Sequence, residues 1–149
     1  HDALPILGRF GVRVWGDGGW RAVEQHGAVY MGPAGHQREL NRVYVGARIN
    51  VDIGRLYQAD IVTMRVFDVL ACGGFVLAEH SDDLARLLEP GVEVDSYRNL
   101  DELGAKIEHY LAHPDEAAAI AARGRERVRR DHTIAARVQQ MLASVRADT

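Results

Sequence analysis

Apolar residues recur along the chain at two spacings, one typical of β-strands and the other typical of helices. Short segments that are apolar or alternating predict strands at 11–20, 28–32, 48–53, 75–79 and 92–97. Apolar residues at helical spacing predict helices at 36–47, 61–72, 81–88, 100–112, 115–130 and 134–147, and residues 2–9 are expected to end a helix whose beginning is missing. Strands that alternate with helices predict a parallel sheet with helices on its faces. The sequence therefore predicts an α/β, Rossmann-like fold in a single domain, residues 1–149.

Composition and charge indicate which partners and which compartment to expect for the protein. The 149 residues are 47% hydrophobic and 26% charged, which is ordinary for a globular chain. A net charge of −3 gives no general attraction to nucleic acid or to anionic membranes, so neither is expected as a partner. Cys72 is the only cysteine, and no apolar run approaches the roughly 20 residues that span a bilayer. We therefore expect a cytoplasmic protein without disulfides or a membrane span.

The segment MRVFDVLACGG, residues 64–74, places charged side chains on an otherwise apolar helix. In open parallel sheets, helix N-termini point to the carboxyl ends of the strands, where ligands bind. Arg65 offers a forked cation that suits phosphate oxygens, and Asp68 offers an acceptor that suits the hydroxyls of ribose. The same two residues, three positions apart, could instead form a surface ion pair. Gly73-Gly74 is explained as the end of the helix without any ligand.

Residues 64–133 resemble the C-terminal, donor-binding half of GT-B glycosyltransferases. The similarity rests on MRVFDVLACGG, the apolar strand FVLAE, the acidic helix SDDLARLL, the segment PGVEVDSY, the YLAHP helix and the segment GRERVRRDHT. WGDGGW at 15–20 and RINVDI at 48–53 extend it over nearly the whole chain. In their order and spacing these segments are most similar to the group 1 branch that includes the spore maturation protein CgeB. The resemblance implies a nucleotide-sugar as the donor substrate and no cofactor.

The resemblance also implies roles for three charged residues. Asp68 stands where the family usually has the Glu that hydrogen-bonds the ribose, and its side chain is one methylene shorter. Arg65 would face the diphosphate of the donor. Related retaining enzymes place a second acid eight residues earlier, near the sugar, and Asp60 holds that place here. The CgeB-like branch does not keep that acid reliably, so the catalytic residue stays unassigned, with Asp60 as the candidate.

Backbone positions complete the substrate-binding set that the resemblance implies. The strand-end segment MGPAG, residues 31–35, contains Gly32 and Pro33 and corresponds to a loop whose backbone contacts the base. Gly73 and Gly74 belong to the same motif as Arg65 and are counted with the substrate-binding residues. We therefore expect the ligand to meet backbone atoms as well as side chains.

Three further motifs are better explained by packing and capping than by chemistry. GDGG at 16–19 does not complete a dinucleotide fingerprint and is interpreted as a turn from a strand to a helix. The acids of SDD at 81–83 suit the N-terminus of a helix, with Ser81 as its N-cap. The arginines of RGRERVRR at 123–130 spread around Val128, which favours a solvated helix face.

Metal and thiol chemistry are not expected either. His109 and His113 come nearest to a metal-binding pair, but Pro114 follows at once, so we interpret them as a solvated helix end. Cys72 is interpreted as a small core residue rather than a nucleophile. The sequence predicts no bound metal.

The leading hypothesis is the donor-binding domain of a glycosyltransferase that uses a nucleotide diphosphate-sugar, with UDP favoured. The usual first strand of this half and an N-terminal acceptor-binding domain are expected to be missing, so we expect little or no transferase activity from the chain alone. A second hypothesis is a non-catalytic Rossmann-like binding module with a decayed nucleotide site, which the short acid at position 68 favours. A third, a dehydrogenase half, lacks the phosphate-loop fingerprint that such a protein needs.

Overall fold

The computed structural model describes residues 3–35, 38–54 and 61–147. Its helices are α1 (Leu4–Arg9), α2 (Arg38–Gly46), α3 (Met64–Cys72), α4 (Asp82–Leu87), α5 (Leu100–Ala112), α6 (Pro114–Asp131) and α7 (Ile134–Ala147). Its strands are β1 (Arg13–Trp15), β2 (Val29–Gly32), β3 (Asn50–Asp52), β4 (Val76–Glu79) and β5 (Asp95–Tyr97). A 3₁₀ helix, Gly18–His26, joins β1 to β2. None of the helices in these ranges combines the length and apolar character that crossing a membrane requires.

The strands form parallel sheets, as the alternation of elements predicted. β1 pairs with β2, and β3, β4 and β5 pair in that order, with Asn50 opposite Val76. The sequence predicted one sheet, but within the described residues no strand pairing joins these two groups. Val12, just before β1, and Val51 of β3 nevertheless pack against the same core cluster, so the segment that leads into the smaller sheet shares a hydrophobic interior with the larger one.

β4 is the centre of the larger sheet and is buried on both faces, as its continuous apolar sequence predicted. Leu77 faces a core cluster formed mainly with α5 and α6, whose members include Leu103, Ile107, Tyr110, Ile120 and Ala121. Val76 and Ala78 face a second cluster formed mainly with α3 and α4, whose members include Val66, Val69, Leu70, Leu84 and Leu88. Helices therefore cover both faces of the larger sheet. Its three parallel strands all end on the same side.

α3 ends in a Schellman motif at its glycine pair. The Gly73 N–H donates to the Leu70 carbonyl at 2.9 Å. The Gly74 N–H donates to the Val69 carbonyl at 2.9 Å. Gly73 has φ +90°, and a Cβ at buried Gly74 would lie 2.6 Å from the carbonyl oxygen of Tyr44. The pair therefore lets α3 turn directly into β4, which confirms the interpretation as a helix end.

Two strands are shorter than the sequence predicted. Of residues 11–20 only β1 is a strand, because Asp17 caps the 3₁₀ helix by accepting the N–H of Gly19 at 2.9 Å. Of residues 92–97 only β5 is a strand, because the chain turns at Gly91, whose φ is +78°. In both places local turn chemistry shortens a segment that alternates like a strand.

Candidate functional site

The last residues of the three strands in the larger sheet lie at one edge. Asp52 ends β3, Glu79 ends β4 and Tyr97 ends β5. The Tyr97 hydroxyl donates to the carbonyl of Asp52 at 3.1 Å. Glu79 accepts the N–H of Gly54, just beyond β3, at 2.8 Å. Open parallel sheets bind ligands at this edge, so these three strand-end residues and the start of α3 are called the carboxyl rim.

α3 begins at the carboxyl rim and brings Arg65 to it. Thr63 is the N-cap residue, but its side chain caps no amide of the helix. Its hydroxyl donates instead to Asp52 Oδ2 at 2.9 Å. Arg65 Nη1 donates to Asp52 Oδ1 at 2.6 Å. One carboxylate therefore holds both the cap residue and the guanidinium, and among the described residues no side chain caps the first turn of α3.

The ion pair between Arg65 and Asp52 joins an exposed group to a buried one. The side chain of Asp52 is 6% exposed, whereas that of Arg65 is 50% exposed. Burial raises the pKa of the Asp52 carboxyl above its ordinary value, while the Arg65 guanidinium and the Thr63 hydroxyl lower it in part. The pair occupies one nitrogen of a guanidinium that carries five N–H donors. Arg65 therefore retains donors that can bind a phosphate without breaking its contact with Asp52.

Asp68 is exposed on α3, and its carboxylate forms no ion pair with Arg65 in the described structure. Burial raises the pKa of Tyr44 and of Cys72, and the charge of Asp68 adds to both shifts. The Arg65 guanidinium lowers the pKa of Tyr44 in part. The charges of Arg65 and Asp68 thus affect the pKa of groups on the side of α3 that faces α2. The alternative of a surface ion pair between them is wrong, because Arg65 is held by Asp52 instead.

The other predicted site residues either lie away from the carboxyl rim or fall outside the described residues. Gly32 ends β2 in the smaller sheet and Pro33 follows it, and no described hydrogen bond joins them to the carboxyl rim. Gly73 and Gly74 lie at the far end of α3, just before β4 begins, and so at the opposite edge of the larger sheet. Asp60 lies outside the described residues. The structure therefore brings Arg65 and Asp68 to one helix surface and explains the glycine pair by the end of that helix.

A shallow depression of about 390 Å³ lies between the start of α3, α4 and α7, and its lining includes Phe67, Arg86 and Arg137. Neither Arg65 nor Asp68 lines it. Ligand sites usually enclose most of their ligand, and this depression does not bring the predicted site residues of α3 into such a cavity.

The remaining motifs have the structural roles that the sequence predicted. Ser81 caps α4 by accepting the N–H of Leu84 at 3.1 Å. In the segment 123–130, Gly124 and Val128 are buried in α6, and most of the arginines are exposed. Capping and helix packing account for both patterns.

Comparisons with known proteins identify the family. A glycosyl transferase-like family matches residues 2–143. The chain belongs to this family. The structure of a sucrose-phosphate synthase from Thermosynechococcus elongatus matches 98% of this chain and 42% of that chain, with a TM-score of 0.69 and 18% identity. No curated protein matches the chain.

For this glycosyl transferase-like chain, the structural match bears on the fold alone, because the identity is low. It confirms the expected Rossmann-like architecture of a C-terminal GT-B half. The chain spans less than half the length of the synthase, at 42%. The CgeB-like branch stays a prediction.

The sequence reasoning missed Asp52, on which the geometry of the carboxyl rim depends. The residue lies in the predicted strand 48–53 and was given no role. The position of Asp52 at the end of a predicted strand was a signal for a site residue, because a carboxylate that ends a parallel strand lies at the ligand-binding edge. Glu79 ends its strand in the same way. The hydrogen bond from Thr63 to Asp52 has no counterpart in local sequence, because an N-cap threonine is expected to cap its own helix.

Proposed function

We propose that this chain is the donor-binding half of a glycosyltransferase and holds a nucleotide diphosphate-sugar at the carboxyl rim. The observation that carries the proposal is the position of Arg65, a half-exposed guanidinium fixed at the first turn of α3 by a buried carboxylate. Guanidinium groups bind phosphate oxygens through paired N–H donors. The start of α3, which no described side chain caps, adds attraction for an anion.

Asp68 is proposed to accept hydrogen bonds from the ribose hydroxyls of the donor. It lies three residues beyond Arg65, which corresponds to about 4.5 Å along a helix axis. A diphosphate on Arg65 therefore leaves its nucleoside within reach of Asp68. We favour UDP as the nucleotide and the CgeB-like branch as the part of the family to which the chain belongs. Both choices rest on the resemblance of residues 64–74.

The chemical role proposed for the carboxyl rim is electrostatic. Negative charge develops on the nucleotide diphosphate as it leaves the sugar, and a fixed guanidinium with a helix N-terminus stabilises that charge. The proposal needs no metal ion and no cofactor for this step. It assigns no catalytic residue, and Asp60 remains the candidate. We place the reaction in the cytoplasm.

The proposal includes a second domain that would complete the binding site. Neither Arg65 nor Asp68 lines the depression that the described residues form beside α3, and most ligand sites enclose the greater part of their ligand. The chain also spans only 42% of the synthase that it resembles in fold. We therefore propose that an N-terminal domain binds the acceptor, that a further strand completes this half, and that the chain alone has little or no transferase activity.

A non-catalytic binding module is the second candidate. The contact of Arg65 with Asp52 favours it, because the carboxylate neutralises part of the charge that would attract a phosphate. In such a module the pair would serve stability only, and no nucleotide would bind.

Isothermal titration calorimetry of the 149-residue chain with UDP tests the proposal. We expect the chain to bind UDP, and Arg65→Ala and Asp68→Ala each to weaken binding about tenfold or more, since a hydrogen bond to a charged group contributes about 1.5–3 kcal/mol. Asp68→Glu restores the usual length of the family side chain and should bind at least as tightly as the natural chain. Circular dichroism confirms that each variant is folded.

The matched control is Arg130→Ala, which removes an exposed arginine that pairs with Asp131 on α6. Its affinity for UDP should equal that of the natural chain. Normal binding by both Arg65→Ala and Asp68→Ala would show that the site has been misplaced. No heat with any nucleoside diphosphate would favour the non-catalytic module.

A further inference from the structure

We propose that His109, His113 and Glu116 form a binding site for a divalent transition metal ion such as Zn²⁺, at the corner where α5 meets α6. One donor atom from each of the three side chains lies within 4.8 Å of the others. Among the described residues, no other three His, Cys, Asp or Glu side chains meet this condition. Glu116 joins the two histidines whose sequence pattern predicts a solvated helix end. The proposal is independent of the nucleotide site.

The three side chains already contact one another. His109 Nε2 lies 2.8 Å from Glu116 Oε2. The rings of His109 and His113 stack with centroids 4.4 Å apart and an interplanar angle of 23°. His113 Nδ1 lies 2.9 Å from the backbone carbonyl of His109, which favours the proton on Nδ1 and leaves the lone pair on Nε2. Histidines that bind metal are commonly oriented by such a bond from the second ring nitrogen.

The corner that carries the cluster is well anchored. Pro114 begins α6 immediately after His113, which fixes the direction of the second helix. Tyr110, next to His109, is buried, and its ring forms a T-shaped contact with the histidine ring at a centroid distance of 5.0 Å. The Tyr110 hydroxyl donates to Asp95 Oδ2 at 2.7 Å. Since Asp95 begins β5, the cluster lies toward the amino ends of the strands, away from the carboxyl rim.

The charge of the corner favours a cation. From residue 107 to residue 122 the sequence has three acids, Glu108, Asp115 and Glu116, and no lysine or arginine. The last turn of α5 attracts positive charge through its free carbonyls, while the first turn of α6 repels it. The two acids of that first turn offset the repulsion.

The ligand set selects the class of metal. Two imidazoles and one carboxylate suit Zn²⁺, Ni²⁺ or Cu²⁺, whereas Mg²⁺ and Ca²⁺ prefer oxygen ligands. Zinc–ligand bonds are about 2.0–2.2 Å long, so the three donors must close around the ion. All three side chains are exposed and can rotate to do so. The ion would link α5 to α6 and stabilise the packing of the two helices.

Titration of Zn²⁺ into the metal-free 149-residue chain, followed by calorimetry and by thermal melting, tests the proposal. We expect one Zn²⁺ per chain and a melting temperature that rises with Zn²⁺, because the ion binds the folded state. His109→Ala and His113→Ala should each weaken binding about tenfold or more, and Glu116→Gln should weaken it less. Mg²⁺ should give no heat.

The matched control is His26→Ala, which removes an exposed histidine on the 3₁₀ helix. Its affinity for Zn²⁺ should equal that of the natural chain. Because the His113 ring also contacts the His109 carbonyl, melting each variant without Zn²⁺ separates a loss of fold from a loss of binding. The proposal is overturned if the natural chain binds no Zn²⁺, or if the double variant His109→Ala/His113→Ala still binds it.

Discussion

Replacing Arg65 with alanine removes the ion-pair partner of a buried carboxylate. Asp52 would keep the Thr63 hydroxyl at 2.9 Å, but its side chain is only 6% exposed. Removing one partner of a buried ion pair costs about 3–5 kcal/mol when both groups are buried. Arg65 is half exposed, so water can reach part of the space that its guanidinium leaves. We therefore expect the free energy of unfolding to fall by about 1–3 kcal/mol.

Neutralising Asp52 in the same chain should recover much of this loss. In Arg65→Ala/Asp52→Asn the amide oxygen can still accept the bond from Thr63, and no buried charge remains. Asp52→Asn alone gives up an ion pair to a half-exposed arginine, which is worth less than about 1 kcal/mol. The double variant should therefore be about 1–2 kcal/mol more stable than Arg65→Ala, a coupling expected for residues in direct contact.

The deficit of Arg65→Ala should depend on pH in a defined direction. Burial raises the pKa of Asp52, so folding favours its protonated form. The stability that this form contributes is present at acid pH and is lost as the pH rises through the pKa of the folded state. Arg65→Ala raises that pKa further, because the positive charge is gone. The deficit should therefore be largest near neutral pH and shrink as Asp52 becomes protonated.

Urea denaturation at several pH values measures these differences, provided that the dependence on urea is the same in each variant. Arg86→Ala is the matched control, because Arg86 is 74% exposed in an ion pair with Asp83 at 2.8 Å. Its loss of stability should stay below about 0.5 kcal/mol. If the double variant is no more stable than Arg65→Ala, or the deficit persists in acid, Arg65 does not act by compensating the charge of Asp52.

Two further predictions concern the packing of α6 and the reactivity of Cys72 on α3. Gly124→Ala in α6 should cost at least about 2 kcal/mol in urea denaturation, because its Cβ would lie 2.1 Å from the Glu93 carbonyl oxygen. Gly104→Ala in α5, where the nearest atom is 3.6 Å away, should instead gain up to about 1 kcal/mol, and equal effects would contradict the close approach of α6. Burial and the charge of Asp68 raise the pKa of Cys72, so iodoacetamide should alkylate it more slowly than free cysteine near neutral pH. Alkylation at the rate of free cysteine would refute that account, and Asp68→Asn should accelerate the reaction.

Much of the fold could be predicted from sequence because its elements carry local signals. β4 is a continuous apolar strand between a glycine pair and a capping serine, and it is buried on both faces. α6 begins at Pro114 with two acids in its first turn, as the sequence indicated. The division into two sheets has no local signal, because strand pairing depends on contacts between residues distant in the chain.

The candidate site was predictable only in part. Arg65 and Asp68 could be found because their spacing puts both on one exposed surface of a helix. The partner of Arg65 could not be predicted. Local spacing favours Asp68, whereas the fold brings Asp52 to Arg65 from 13 residues earlier. The same limit applies to Glu116, which joins the two histidines only through the turn from α5 into α6.

The contact between Arg65 and Asp52 is compatible with phosphate binding as well as with stability. A free arginine loses about 2 kcal/mol of side-chain entropy when a ligand fixes it. Asp52 already holds one nitrogen of the guanidinium at 2.6 Å, so much of that ordering occurs on folding. The buried carboxylate also reduces the positive charge that a diphosphate meets, and this opposes the gain. Half of the Arg65 side chain is exposed and its bond to Asp52 uses one nitrogen, so the contact can orient the guanidinium while leaving other donors for a charged ligand.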